Sequence, residues 1–221
     1  MKRGIRQVQF MNQIKIARLI LGPVETNCYF ALNEAAKELV VIDPADDALQ
    51  IQRMIDRLQA EPAAVFLTHG HFDHIGAASE IRDRYKVPVF AMRMEKELLG
   101  SGNLNLSAHY GVPVTLSADR WLEDGDELSF AGFTWQALHT PGHTPGGCCF
   151  YIAQQGVLFS GDTLFRGSIG RTDFPQGSIR QLLDSLQTKL MILPEDTIVY
   201  PGHGEASTIG FEKKYNPYCE M

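Results

Sequence analysis

The chain has 221 residues, of which 44% are hydrophobic, and its formal net charge is −6. This length suits one large domain with a substantial core, and the acidic balance excludes the basic surface that is typical of nucleic-acid-binding proteins. No apolar run approaches the roughly 20 residues that cross a bilayer, so we expect no membrane partner.

The first part of the chain begins with strands and continues with strand–helix alternation. Three apolar segments are predicted as strands, the last two forming a hairpin: Ile14–Ile20, Asn27–Leu32 and Leu39–Asp43. A helix should begin after Pro44, with an apolar face through Leu49, Met54, Ile55 and Leu58. Ala63–Leu67 is predicted as a short buried strand. A helix reaching Tyr85 and the strand Val87–Ala91 should follow.

The second part of the chain begins with the irregular segment Met92–Ala118, which we interpret as a surface excursion beside the site and a candidate substrate lid. Further strands are predicted at Glu127–Phe130, Phe133–Leu138, Gly147–Ile152, Val157–Ser160 and Thr197–Tyr200. A helix should run from about Ser178 to Leu190. This order fits an α/β fold in which two sheets pack face to face with helices outside, in one domain over residues 1–221.

Neither the N-terminus nor the cysteines suggest secretion. The segment Met1–Gln7 is basic but lacks the apolar core and cleavage site of a signal peptide. The four cysteines, of which Cys148 and Cys149 are adjacent, show no Cys-x-x-Cys spacing. Neighbouring residues of a strand point to opposite faces, which disfavours a disulfide between that pair. We therefore expect reduced, mostly buried, non-catalytic cysteines in a cytoplasmic protein.

The segment Thr68–His74 concentrates three histidines and one aspartate between a predicted strand and a predicted helix. Imidazole and carboxylate are common metal ligands, and the pattern His-x-His-x-Asp-His lets one loop offer ligands to two adjacent cations. In α/β proteins such groups belong at strand ends, where the chemistry is placed. The alternative is a solvated polar loop, but four polar groups are costly to bury without partners.

Three later loops repeat this chemistry directly after predicted strands. They carry His143, Asp162 and His203, each beside a glycine that lets the backbone approach a ligand closely. Any one of these residues alone would be interpreted as a solvated loop residue. Four strand-end loops with the same chemistry predict one shared metal site.

Together these residues resemble the metallo-β-lactamase superfamily, and Leu164–Pro175 resembles its glyoxalase II-like, or hydroxyacylglutathione hydrolase-like, branch. The resemblance covers nearly the whole chain and implies a four-layer αββα sandwich of two mixed β-sheets. It also implies two divalent metal ions. Zinc is the metal we expect, with iron or manganese as alternatives. By this resemblance His69, His71 and His143 bind one ion, Asp73, His74 and His203 bind the other, and Asp162 bridges them.

The resemblance implies hydrolysis of a small-molecule thioester of the S-acylglutathione type by a metal-bridging hydroxide, with Asp73 also orienting the water. Arg171 is the candidate substrate-binding residue, since a guanidinium can clamp a carboxylate; Arg166 and Arg180 lie nearby in the chain. An internal brace between Arg171 and Asp173 is the alternative. Near the last ligand, Ser207–Met221 should form a short helix at most, so we expect no helical glutathione-binding domain of the kind found in full-length glyoxalase II.

Two other functions stay open. The run Gly170–Phe174 also resembles persulfide dioxygenases, in which a single iron would use His69, His143 and Asp162. A β-lactamase or lactonase is less favoured by the segment after Asp162. A non-catalytic binding protein on the same fold would be supported by loss of a ligand, and no position of the set is lost. Two histidines lie outside the set of seven proposed ligands. His139 is a candidate hydrogen-bond partner of a ligand, and His109 is expected to be a surface residue. The sequence does not predict the oligomeric state.

Overall fold

Two six-stranded sheets form the centre of the protein. A computed structural model describes residues 13–220, so the basic segment Met1–Gln7 lies outside the described residues. The first sheet has the order β1–β2–β3–β4–β5–β6, with strands Ile14–Leu21, Thr26–Asn33, Glu38–Ile42, Glu61–Phe66, Val89–Met92 and Arg120–Leu122. The second has the order β14–β13–β10–β9–β8–β7, with strands Ser207–Thr208, Ile198–Pro201, Val157–Gly161, Cys148–Ile152, Phe133–His139 and Glu127–Phe130.

Both sheets are mixed, as the resemblance implied. In the first sheet β1, β2 and β3 are antiparallel, whereas β3 to β6 run parallel. In the second, the pair β10–β13 is parallel and the other pairs are antiparallel. A small hairpin, β11 (Leu164–Phe165) with β12 (Ser168–Ile169), follows β10 and was not predicted.

Helices cover the outer face of each sheet. They are α1 (Ala48–Leu58), α2 (Phe72–Ile75), α3 (Ala78–Tyr85), α4 (Lys96–Leu99), α5 (Ile179–Ser185, continued by a π-helical turn over Leu186–Leu190) and α6 (Ile209–Tyr215). Within residues 13–220, no helix combines the length and the apolar character that crossing a bilayer requires.

The core has three apolar layers because side chains alternate along each strand. In β3, Val40 and Ile42 point between the sheets, while Leu39 and Val41 pack in the outer layer with residues of α1 and α3. On the other side, Leu158 and Val199 pack against the helical segment that follows Ser178. Since both faces of the central strands are buried, these strands are apolar throughout. The predicted αββα sandwich is confirmed.

Aromatic contacts between the sheets fix the end of the sandwich that carries the histidine loop. Phe66, the last residue of β4, stacks on Phe150 with ring centroids 4.7 Å apart and meets Trp135 edge-on at 5.1 Å. Both partners belong to the second sheet. The segment that begins at Thr68 therefore leaves a rigidly packed strand end.

Two details of the predicted helices are wrong. Leu49 is 54% exposed, because the buried face of α1 follows Ala48, Ile51, Gln52 and Ile55. The other predicted residues of this face, Met54, Ile55 and Leu58, do pack in or against the core. The helix expected after the histidine loop is divided into α2 and α3 at Gly76. A Cβ on Gly76 would lie 2.3 Å from the carbonyl oxygen of Ala45, so this turn packs directly on the backbone after β3.

The segment Met92–Ala118 is more than a surface excursion. Its first turn and α4 bury Glu95, Leu98 and Leu99 completely or nearly so. Further along, the turn Ser107–Tyr110 exposes His109 and Tyr110. One end of the segment is thus built into the core and the other faces solvent.

The four cysteines are buried, and Cys148 and Cys149 lie in different apolar layers, on opposite faces of β9 as predicted. Burial raises the pKa of the Cys149 thiol to about 11 and that of Cys219 to about 12. Since thiolates are the reactive species, a disulfide-exchange reagent at pH 8 should label the native protein far more slowly than the unfolded chain, which should release four equivalents. Rapid labelling of a thiol in the native protein, with loss of activity, would contradict a purely structural role.

Candidate metal centre

The histidine-rich loop ends in a short helix that places its ligands at one end of the sandwich. His69 and His71 lie in the loop after β4, and α2 begins at Phe72, so Asp73 and His74 occupy its first turn. The three histidines of this segment are nearly inaccessible to solvent, between 0% and 3% exposed. A solvated polar loop is therefore excluded.

The structure brings all seven predicted ligands together. Three groups each place one ligand atom per residue within 4.8 Å of the others: His69, His71 and His143; His69, His74 and Asp162; Asp73, His74 and His203. His71 Nδ1 lies 2.9 Å from His143 Nε2, and His203 Nε2 lies 3.3 Å from Asp73 Oδ2. Asp162 is central, because its two carboxylate oxygens lie 3.4 Å from His74 Nε2 and 3.5 Å from His143 Nε2.

Hydrogen bonds on the outer side of the cluster orient the imidazoles. The Nδ1 atoms of His143 and His203 face the carbonyl oxygens of Arg171 and Val24, at 2.7 and 3.1 Å. A carbonyl only accepts, so each Nδ1 must carry the proton, which leaves the Nε2 lone pair directed into the cluster. This is the tautomer that a metal ligand needs.

Asp43 orients residues of the histidine-rich loop in the same way. Its carboxylate accepts hydrogen bonds from the backbone N–H and the hydroxyl of Thr68, at 2.8 and 2.7 Å, and contacts His74 Nδ1 at 2.9 Å. This residue was not predicted, although Asp43 directly follows the apolar strand β3 and so shows the same strand-end signal as Asp162. Thr26, also missed, donates from its hydroxyl to Asp73 Oδ2 at 2.8 Å.

The polar atoms at the centre of the cluster match a cation. His69 Nε2, His74 Nε2 and Asp162 Oδ1 are buried, and no group in residues 13–220 satisfies them with a hydrogen bond. Three such orphans in one place would be costly, whereas divalent ions bind this set of nitrogen and oxygen donors. The residues present fit the metal centre that the resemblance implied.

The pKa values of His69, His71 and Asp73 also favour metal binding. Burial and neighbouring histidines lower the pKa of His69 well below its usual value, and burial with His143 lowers the pKa of His71 to about 3. Burial opposes ionisation of Asp73, but His74 and hydrogen bonds from His203 and Thr26 lower its pKa overall. Two imidazoles are thus neutral and one carboxylate ionised near neutral pH, as ligation requires. Burial opposes protonation of His74, but the carboxylates of Asp73, Asp162 and Asp43 raise its pKa to about 10, so an ion bound there would displace a proton.

Gly202 lies so close to the clustered side chains that a larger residue would not fit there. A Cβ on Gly202 would lie 2.2 Å from Asp162 Oδ1 and 2.7 Å from His74 Cε1. The glycine before His203 is therefore needed for the loop after β13 to approach the rest of the cluster.

A cavity of about 750 Å³ opens above the ligands. It is bordered by the hairpin β11–β12, by the segment that follows it and by the exposed part of Met92–Ala118. Its non-ligand lining is mainly apolar and aromatic: Val24, Phe72, Leu106, His109, Tyr110, Phe165, Ser168, Ile169, Arg171, Phe174 and Pro175. Such a concave, mostly apolar site with a few polar groups is typical of small-molecule binding.

The remaining predicted residues have distinct places. Arg171 lines the cavity, but its guanidinium also forms two hydrogen bonds of 2.7 Å with Asp173 and lies 4.0 Å from the centre of the Phe174 ring. Arg166 lies over the Phe211 ring instead, and Arg180 is exposed on α5. His139 is outside the cluster, with Nε2 at 2.9 Å from the Pro145 carbonyl oxygen.

The family model described as the metallo-beta-lactamase superfamily matches residues 21–203. The chain belongs to this superfamily. The match begins at the last residue of β1 and ends at His203, so it includes strands β2 to β13 and all seven clustered residues.

Bacterial relatives of similar length carry hydrolase names. The probable metallo-hydrolase YqgX of Bacillus subtilis is 38% identical over 93% of this chain and 97% of its own length. The hydroxyacylglutathione hydrolase GloC of Haemophilus influenzae is 36% identical over 88% of this chain and 92% of its own.

Three solved structures of the same fold have names that point to different activities or metals. The BLEG-1 B3 metallo-beta-lactamase superposes with a TM-score of 0.89 at 42% identity, covering 94% of this chain and all of that one. TTHA1623 in a di-iron-bound form gives 0.82 at 36%, covering 91% and 99%. ETHE1 from Myxococcus xanthus gives 0.77 at 30%, covering 92% and 83%. Family membership supports a metal-dependent hydrolase without deciding the substrate or the metal.

Proposed function

We propose that this protein is a dinuclear metal-dependent thioester hydrolase of the hydroxyacylglutathione hydrolase type. The observation that carries the proposal is the completeness of both ligand groups. Asp73, His74 and His203 meet as closely as His69, His71 and His143 do, and Asp162 lies between the groups. The name of the GloC relative supports the thioester class.

The ligands would hold two divalent ions, which lower the pKa of a water from about 15.7 to near 7 and polarise a carbonyl oxygen. Asp73 would bind the second ion and orient the attacking water through its carboxylate, which Thr26 holds in place by a hydrogen bond. Arg171 would bind a charged part of the thiol carrier from the cavity wall. The aromatic lining would exclude bulk water around the scissile bond.

A mononuclear iron persulfide dioxygenase is the second candidate. It is favoured by the similarity to ETHE1 from Myxococcus xanthus, and it needs only His69, His143 and Asp162. In such an enzyme Asp73 and His203 would have no metal to hold. Yet His203 Nδ1 is oriented by the Val24 carbonyl, and Asp73 by Thr26. Retained orientation of both residues supports the dinuclear proposal.

The deciding experiment combines metal content with anaerobic turnover. Protein purified without added metal should hold about two metal ions per chain and should release thiol from S-lactoylglutathione under argon. Assays with glutathione persulfide in air and with a chromogenic β-lactam serve as parallel tests. Oxygen uptake with about one iron per chain and no thioester turnover would overturn the hydrolase proposal in favour of the dioxygenase.

Replacing Arg171 by alanine should raise KM for glutathione thioesters by about tenfold with little change in kcat, because a charge-assisted contact to the substrate would be lost in ground and transition state alike. A neutral thioester should be nearly unaffected. Asp173→Asn is the matched control, since it breaks the same ion pair but keeps the guanidinium. Equal losses for both substrates in both variants would identify the pair as an internal brace.

A further inference from the structure

Glu95 is a completely buried carboxylate that the metal-binding chemistry described above does not use. Its two oxygens accept hydrogen bonds from two backbone N–H groups, with Oε2 at 2.7 Å from Gly70 N and Oε1 at 2.7 Å from Gly146 N. Gly70 lies between His69 and His71 in the loop after β4. Gly146 lies three residues after His143 in the loop between β8 and β9. One side chain thus joins the two loops that carry the first ligand group.

These loops belong to different sheets. The His69–His71 loop follows β4 in the first sheet, whereas the His143 loop connects β8 and β9 in the second. A backbone hydrogen bond from Cys148 N to the Thr68 oxygen, 2.8 Å long, also crosses this boundary farther from the ligands. Glu95 therefore supplies two of the hydrogen bonds that join the His69–His71 loop to the His143 loop across the boundary.

Both glycines allow the Glu95 segment to reach this position. A Cβ on Gly146 would lie 2.5 Å from Glu95 N and 2.8 Å from Oε1, and a Cβ on Gly70 would lie 2.8 Å from Leu98 Cδ2. The segment Glu95–Leu99 is inserted so tightly that side chains on either loop would force it out. Buried backbone N–H groups need an acceptor, and the carboxylate meets this need for both loops at once.

Other residues hold the second ligand group: Asp43 contacts His74 Nδ1 at 2.9 Å, and β2 holds the other two members. Asn27 N donates to the Gly202 oxygen at 2.7 Å, and the Asn27 side chain donates to the Pro201 oxygen at 2.9 Å. Thr26 donates to Asp73. Contacts of β2 therefore fix His203 and Asp73 without involving Glu95.

We propose that Glu95 is a positioning residue for the first metal position alone, setting His69 and His71 at ligating distance from His143. This inference rests on the metal centre of the proposed function. Its signature is selectivity: loss of the Glu95 contacts should weaken binding at one ligand group and leave the other unchanged.

The test measures stepwise zinc affinity by competition with a chromophoric chelator, together with the visible absorption of the cobalt-substituted protein. Glu95→Gln keeps the side-chain shape but turns an amide NH₂ toward one of the two N–H groups. We expect one binding step to weaken by about 10- to 100-fold with altered cobalt bands, and the other step to stay unchanged. Glu97→Gln, at an exposed position in α4 two residues along the chain, should change neither step.

Double variants assign the affected step. In His203→Ala only the group of His69, His71 and His143 is complete, so adding Glu95→Gln should weaken the remaining binding. In His143→Ala the same addition should have no effect. Unchanged affinities in Glu95→Gln, or equal weakening of both groups, would overturn the proposal.

Folding is checked by circular dichroism of the metal-free proteins. Glu95→Asp retains two acceptor oxygens at a shorter reach and provides a second variant, expected to show the same selective weakening. If neither variant folds, Glu95 is required for the domain as a whole and the specific role is overturned. If the wild type binds a single metal, the dinuclear proposal fails, while the comparison in the His203→Ala background still decides the role of Glu95.

Discussion

Thioester hydrolysis should fall by about 100-fold or more when Asp73 is replaced by asparagine or His203 by alanine, because each change removes a ligand of the second group. Asp73 Oδ2 lies 3.3 Å from His203 Nε2 and 3.5 Å from His74 Nε2, so a single lost donor leaves this group incomplete. The measurements are kcat/KM for S-lactoylglutathione under argon and metal content per chain. We expect each variant to hold about one ion fewer than the wild type.

Asp83→Asn is the matched control for Asp73→Asn. The substitution makes the same chemical change at a residue of α3 that is exposed and paired with Arg82. It should leave activity and metal content unchanged. The informative contrast is His203→Ala against His143→Ala. If His203→Ala keeps most of the activity while His143→Ala has none, one ion suffices and the dioxygenase candidate gains.

Gly202→Ala should be as damaging as loss of a ligand, although glycine itself binds nothing. The added methyl group would lie 2.2 Å from Asp162 Oδ1 and 2.7 Å from His74 Cε1, so the loop after β13 or the Asp162 carboxylate must move. A misplaced ligand of this kind costs about 100-fold in rate, since geometry is lost at the reacting centre. The variant should also bind less metal, measured on the purified protein.

Gly204→Ala, two residues along the same loop, separates steric displacement from backbone strain. Gly204 has φ +74, so alanine there costs about 1–2 kcal/mol, but no described atom lies within 4 Å of the added methyl group. This control should lower thermal stability slightly and keep both metals. Full metal content and near-normal turnover in Gly202→Ala would show that the centre tolerates movement of Asp162.

The sequence predicted most of the strands and the clustering of the seven side chains because both leave signals in residue order. Apolar runs identify strands buried on both faces, and the spacing from His69 to His74 concentrates four donors in one loop. Leu49 was placed wrongly because the edge of the buried face of α1 depends on how the helix docks, which an apolar pattern alone does not fix. Asp43 shows the strand-end signal and could have been found.

Other parts of the centre leave no trace in residue identity. The carbonyl groups of Val24 and Arg171 orient His203 and His143, yet every residue has a carbonyl. Glu95 is one of several charged residues in an irregular segment, and its complete burial depends on two loops distant in the chain. Tertiary placement, rather than local pattern, decides such contacts.

The wide separation of the ligands along the chain affects when the centre can form during synthesis. His71 meets His143, 72 positions later, and His203 contacts the carbonyl of Val24, 179 positions earlier. His203 follows β13, which takes its place by pairing with β10. Closing such long loops costs entropy before any ligand contact repays it. A growing chain therefore presents its histidine-rich loop early, but the second ligand group closes only after β13 and His203 have left the ribosome.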